Sequence, residues 1–217
     1  MKEVIGGCTL ILGDSFDIMG DVKGVGAVVT DPPYGMDFQS NRRKVLEKHD
    51  KFDNDKDSAA LQAVCDLLVE HSKYIFCRWD NLYDVPKPKS LITWIKNNHS
   101  MGDLEHEHAR QTEVCLFYPG ENHFFPKKRP SDIIRAPRTA NINHPTEKPV
   151  QLMRAIIEWT DGRVFDPFMG SGSTGVACAK MGREFIGIEN EQKYFDIACK
   201  RIEEAYGQLD MFASMRV

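Results

Sequence analysis

Apolar residues along the chain fall into short runs with two different periods. The near-continuous runs "CTLILGD" (8–14), "GAVVTD" (26–31), "KYIFCRW" (73–79), "LITWIKN" (91–97), "EVCLFY" (113–118), "RVFDPF" (163–168) and "EFIGIEN" (184–190) predict buried strands. Between them the period lengthens. In "SAALQAVCDLLVEH" (58–71), Leu61, Val64, Cys65 and Leu68 stand at i, i+3, i+4 and i+7, which places them on one face of a helix. "SFDIMGDV" (15–22) predicts a short helix capped by Ser15, and "KPVQLMRAIIEWT" (148–160) predicts one with Pro149 in its first turn. "STGVACAKMG" (173–182) and "NEQKYFDIACKRIEEAYG" (190–207) continue the series as helices. Strand and helix alternate without any internal repeat, which predicts an α/β domain with a mostly parallel central sheet flanked by helices. Ligands of such sheets gather at the carboxyl ends of the strands.

At 217 residues and 41% hydrophobic, the chain is long enough to bury one full core, so a single domain over 1–217 is expected. No apolar run is long enough to span a bilayer and no signal-peptide pattern opens the chain, which predicts a soluble, cytoplasmic protein with no membrane partner. The six cysteines lie far apart, mostly inside apolar segments, and form no CxxC pair; they are expected to be reduced and structural. A net charge of −4 excludes a uniformly basic binder of polyanions. The cations are nevertheless clustered, in "RRKVLEKHDK" (42–51) and "PKKRPSDIIRAPR" (126–138), so polyanion contact is expected there.

Two turns carry the candidate chemistry. "FDPFMGSGSTG" (165–175) leaves one predicted strand and opens one predicted helix; Gly170 and Gly172 let backbone approach a ligand, and the first helical amides offer unpaired donors. Glu189 ends the next strand, nineteen residues after Gly170, where a carboxylate can accept from both hydroxyls of a ribose. That pair predicts an adenosine-containing cofactor, although the dinucleotide fingerprint is absent because Val176 or Ala177 stands near the place of a third glycine. The other turn, "VVTDPPYGM" (28–36), is stiffened by Pro32 and Pro33 where the chain leaves a strand.

"DPPY" (31–34) together with "FMGSGST" (168–174) resembles the S-adenosylmethionine-dependent amino-methyltransferases of DNA. Having DPPY first and the glycine motif last resembles the circularly permuted beta group, and "LGDS" (12–15) and "HPTEKP" (144–149) agree with it. The resemblance implies a Rossmann-like methyltransferase fold with S-adenosyl-L-methionine as cofactor and double-stranded DNA as partner. Under it, Asp31 and the Pro32 carbonyl accept the two hydrogens of an exocyclic amino group, which frees the nitrogen lone pair. Pro33 helps to hold that carbonyl and Tyr34 stacks on a base extruded from the duplex. Phe168, Gly170, Gly172 and Thr174 shape the cofactor pocket and Glu189 takes the ribose. By the same resemblance Asp14 contacts the adenine end, Thr146 and Lys148 lie near the methionine carboxylate, and Asp166 serves the amino group. Asp14 as a helix cap and Lys148 as a solvated charge are the plain alternatives.

An acid before Pro-Pro-Tyr resembles the adenine N6 enzymes, so the implied activity is N6-adenine DNA methylation, with N4-cytosine methylation as the alternative. A protein-glutamine methyltransferase, with Asn in place of the acid and the glycine motif first, fits less well. A DNA-binding relative without activity is a further alternative. Residues 35–57, with Arg42, Arg43 and Lys44, are expected to form a mobile DNA-facing loop. Residues 98–143 are expected to form a reduced target-recognition region, and Lys96 and Asn97 at a strand end either contact DNA or brace Asp31. A homodimer and a restriction-modification or phage setting are compatible with these readings. "HSMGDLEHEHAR" (99–110) gathers His99, Glu105, His106, Glu107 and His108, but the spacing fits a solvated loop, and no metal is expected.

Overall fold

The computed structural model describes residues 1–33, 59–67, 72–98, 105–106, 108–139 and 147–214. In chain order the strands are β1 (Lys2–Ile5), β2 (Cys8–Leu12), β3 (Ala27–Thr30), β4 (Ser72–Cys77), β5 (Ser90–Ile95), β6 (Thr112–Tyr118), β7 (Ile133–Arg135), β8 (Val164–Asp166) and β9 (Phe185–Glu189). The helices are α1 (Ser15–Ile18), α2 (Ala59–Asp66), α3 (Val150–Ile157), α4 (Ser173–Lys180) and α5 (Gln192–Ser214). All nine strands form one sheet in the order β1-β2-β9-β8-β3-β4-β6-β5-β7. From β2 across to β4 every neighbouring pair is parallel. Only β1 and β6 run against the rest. This is the mostly parallel, helix-flanked α/β fold that the alternation predicts.

Both faces of the sheet are buried, which is why its central strands read as continuous apolar runs rather than alternating ones. Successive residues simply serve opposite cores. On β4, Tyr74 and Phe76 join the core beneath α3, α4 and α5, whereas Ile75 and Cys77 join the one beneath α2. Val29 and Val28 divide in the same way on β3. Each fully buried Leu, Ile or Phe contributes about 1.5–3 kcal/mol of transfer free energy, so these two layers hold the strand ends in place. All six thiols are free and five are buried, where burial raises the pKa of Cys77 to about 12.

Four details differ from the sequence expectations. The first helix begins at Ser15, but its cap is Asp14, whose carboxylate accepts from the Phe16 amide at 2.8 Å. That helix tightens into a 3-10 turn over Met19–Asp21 instead of running on to 22. The amphipathic helix ends at Asp66, not at 71, where Lys73 reaches back to the carbonyls of Cys65 and Leu67. Two strands were missed: β1 is largely exposed, with no apolar alternation to reveal it, and β7 is three residues long amid prolines and cations. Within 98–143, the described strands β6 and β7 are members of the central sheet.

Candidate functional site

The sheet pairing brings the carboxyl ends of β2, β9, β8 and β3 to one edge, with Leu12 beside Glu189 and Asp166 beside Gly187. Both turns singled out in the sequence leave from this edge. The glycine turn folds back onto β9, where the Met169 amide donates to the Ile188 carbonyl at 3.0 Å. A side chain at Gly187 would collide with Met169, since a Cβ there would lie 2.4 Å from its sulfur. Gly172 has φ +81°, and a Cβ on it would meet the Ala198 Cβ of α5 at 2.8 Å. This turn therefore needs glycine for conformation and for packing alike.

Beneath the turn lies Asp166, only 2% exposed. It accepts from the Thr30 hydroxyl at 2.6 Å, the Thr174 hydroxyl at 2.7 Å and the Phe168 amide at 3.1 Å, tying β3, β8 and α4 together. Burial pushes its carboxyl up to about 6, the three donors pull the other way, and the charge of Asp31 adds to the rise. Glu189, 8% exposed, accepts from the Glu191 amide at 2.8 Å. Burial raises it to about 7 against the amides of Glu191, Gly170 and Asn190, while the Glu191 charge adds to the rise.

Asp31 follows β3 directly, and its carboxylate accepts from the Lys148 ammonium. The same ammonium lies 3.4 Å from Glu113 Oε2, and Glu113 Oε1 pairs with Lys96 at 2.5 Å. Lys148 and Lys96 are buried, with the rings of Phe76 and Trp94 beneath them at 5.2 and 5.0 Å. Burial alone would raise the Glu113 carboxyl, but the two lysines outweigh it and hold it below its usual range. A second charged clamp ties the cofactor side: Arg201 on α5 pairs with Glu147 at 2.6 Å and donates to the Ser171 carbonyl, also at 2.6 Å.

An open cleft of about 360 Å³, solvent at its mouth included, joins the two turns; Asp31, Glu147, Lys148, Asp166, Phe168, Gly170, Ser171, Ser173 and Thr174 line it. The Ser173 hydroxyl is buried there and has no partner among the described residues, a polar atom suited to a ligand. Asp14 stands apart from this lining, exposed and engaged as a cap. Lys96, expected either to contact DNA or to brace Asp31, is buried and pairs with Glu113, which also lies against Lys148. Asn97 accepts from the Arg138 amide at 3.2 Å. Tyr34, Arg42, Arg43, Lys44 and Thr146 lie outside the described residues, as do His99 and Glu107 of the histidine-rich stretch, whose Glu105, His106 and His108 are exposed. Glu113 and Arg201 were missed, one lying in a polar strand start and the other in a helix rich in charge. Only their distant partners mark them out.

Fold and cleft together define a methyltransferase-like protein of the α/β class. A family profile described as DNA methylase, N6_N4_Mtase, matches residues 25–200, and the chain belongs to that family. It is similar to the Type II methyltransferase M2.LlaDCHI of Lactococcus lactis subsp. cremoris, 27% identical over 239 residues that cover 90% of this chain and 89% of the relative. Among solved structures it resembles the M1.HpyAVI-SAM complex with a TM-score of 0.68 and 27% identity, over 90% of this chain and 98% of that one. The cytosine-N4-specific PvuII DNA methyltransferase matches with a TM-score of 0.64 at 15% identity, over 93% and 92% of the two chains, a likeness of fold alone.

Proposed function

We propose that this DNA methylase transfers a methyl group from S-adenosyl-L-methionine to the N6 amino group of adenine in double-stranded DNA. The observation that carries the proposal is one cleft lined both by Asp31, at the end of β3, and by the glycine turn that follows the neighbouring β8. The cofactor supplies an electrophilic methyl group on a sulfonium. Gly170, Gly172, Phe168 and Thr174 with the free Ser173 hydroxyl form its bed, and Glu189 accepts from the ribose. Thr146 and Asp14 are assigned to it by resemblance alone.

The amino nitrogen of adenine is a poor nucleophile because its lone pair is delocalised into the ring. The Asp31 carboxylate accepts a hydrogen bond from one amino hydrogen and the Pro32 carbonyl from the other, so the lone pair points toward the methyl donor, whose bond to sulfur would break as the bond to nitrogen forms and whose excess proton would then leave the nitrogen. Pro32 is buried and has no amide hydrogen to compete for that carbonyl's orientation. Tyr34 stacks on the extruded base. Asp166, with all three of its hydrogen bonds spent on the protein, acts as the floor of the site.

Incubating the protein with labelled S-adenosylmethionine and duplex DNA, followed by nucleoside analysis, tests the proposal: N6-methyldeoxyadenosine is expected. N4-methyldeoxycytidine as the product would overturn the base assignment and leave the amino-group chemistry intact. Label appearing only in protein acceptors would overturn both. Short recognition sequences follow from the modest length of 98–143, and single-molecule mapping that finds one long fixed site would remove that part.

A further inference from the structure

We infer that Lys148 is a positioning residue for Asp31, held in turn by Glu113 and Lys96, and not a ligand of the cofactor; this rests on the role given to Asp31 above. The ammonium lies in ion-pair reach of two carboxylates at once, Asp31 and Glu113, with the Phe76 ring 5.2 Å below it. Its side chain is 6% exposed. A flexible lysine is thereby fixed on three sides. Because it donates to Asp31 Oδ2, it sets the plane in which the carboxylate presents itself to an amino group.

Charge balance separates this role from contact with the methionine carboxylate, which resemblance assigned to Lys148. Among the described residues, two acids, Asp31 and Glu113, and two lysines, Lys148 and Lys96, form a four-membered chain of alternating charge. A third carboxylate against Lys148 would have to compete with the two that already hold it. Glu113 has a further use: when an amino hydrogen takes up part of the Asp31 carboxylate, Glu113 still holds the ammonium where it is. Removing Lys148 would instead take away a cation that offsets the Asp31 charge, which already bears on the buried Asp166.

The test compares wild type, Lys148→Met, Lys148→Arg and Glu113→Gln in equilibrium binding of S-adenosylmethionine and in single-turnover methylation of duplex DNA at saturating cofactor. Lys148→Met should slow methyl transfer by about 100-fold or more with cofactor affinity within about threefold of wild type, Lys148→Arg should recover most of the rate, and Glu113→Gln should lose roughly tenfold. Cofactor affinity weakened by about tenfold or more in Lys148→Met, with the rate restored at saturation, would return Lys148 to the cofactor and overturn the inference. An unchanged rate would also overturn it. If Lys148→Met does not fold, as judged by its thermal melt, the Glu113→Gln rate decides. A wild-type protein that methylates no DNA would sink the functional proposal instead, whereas active wild type with unaffected variants sinks this inference alone.

Discussion

The glycine turn and the proline corner leave adjacent parallel strands and face the same cleft, yet they are held by different forces. The turn is held by backbone and hydroxyl contacts: Met169 to Ile188, Thr30 and Thr174 to Asp166, and Gly172 packed on Ala198. The corner is held by charge, through Asp31, Lys148, Glu113 and Lys96. Short-range hydrogen bonds and close packing fix a shape and are little altered by salt. A buried chain of charges fixes a shape only while each member keeps its partner, because an uncompensated buried charge costs several kcal/mol. The part proposed to bind cofactor is therefore built to be rigid, and the part proposed to touch the reacting nitrogen is built around electrostatics.

The strongest break between the two regions is Asp31→Ala. It removes the proposed acceptor for the amino hydrogen and does not touch the residues of the glycine turn. Methyl transfer should fall by about 10³-fold or more while S-adenosylmethionine binding changes by no more than a few-fold. Equal losses in both measurements would mean that the corner and the turn are not separable.

Next in size is Arg201→Met, which attacks a charged tie of the cofactor side. Glu147, with a side chain 5% exposed, would lose its guanidinium partner, and the Ser171 carbonyl would lose a donor. Breaking a buried pair from one side costs about 3 kcal/mol, which in a chain of this size lowers the melting temperature by roughly 6–12 °C. Cofactor affinity should weaken along with it. Chemical denaturation and a binding titration check both.

How much of this was legible in the sequence follows the same division. The glycine turn, Glu189 and the strand-helix alternation depend on near neighbours, so Gly170, Gly172 and the helix that follows could be placed from local residue types. The corner could be recognised as a stiff turn, but its partners could not: Lys148 lies 117 residues from Asp31, and before the chain is folded it looks like any solvated lysine ahead of a helix. Glu113 became visible only because β6 inserts antiparallel between β4 and β5, a pairing that no local period encodes. Asp14 shows the reverse case, a residue singled out by resemblance whose observed contact is the ordinary one of a helix cap.

Glu189→Gln should produce a smaller change of opposite sign in stability. The folded carboxyl is raised to about 7 from an ordinary value of 4.5. Between those values the folded state binds a proton that the unfolded state does not, so this stabilisation is complete below about pH 4.5 and is lost as pH rises through 7. Asp166, raised to about 6, acts in the same direction. At pH values near 8 the ionised, buried Glu189 lowers stability, and replacing it with glutamine should restore on the order of 2 kcal/mol while weakening the cofactor's ribose contact. Melting curves of the two proteins should converge toward pH 5, and a gap that widened on acidification would refute the assignment.

The smallest effect is expected for the run of cations at 42–44. Arg42, Arg43 and Lys44 lie outside the described residues, and their proposed role rests on the run of cations alone. If they neutralise DNA phosphates, each releases condensed counterions on binding, and replacing all three with glutamine should reduce the slope of log affinity against log salt by about 2–3. The loss of affinity should be largest in dilute buffer and fade as salt rises, because screening already removes most of the contribution there. Cofactor binding at the glycine turn should match that of the wild type at every salt concentration. A parallel fall in DNA affinity at every salt concentration, with the slope preserved, would mean that these residues shape the protein instead of meeting phosphates.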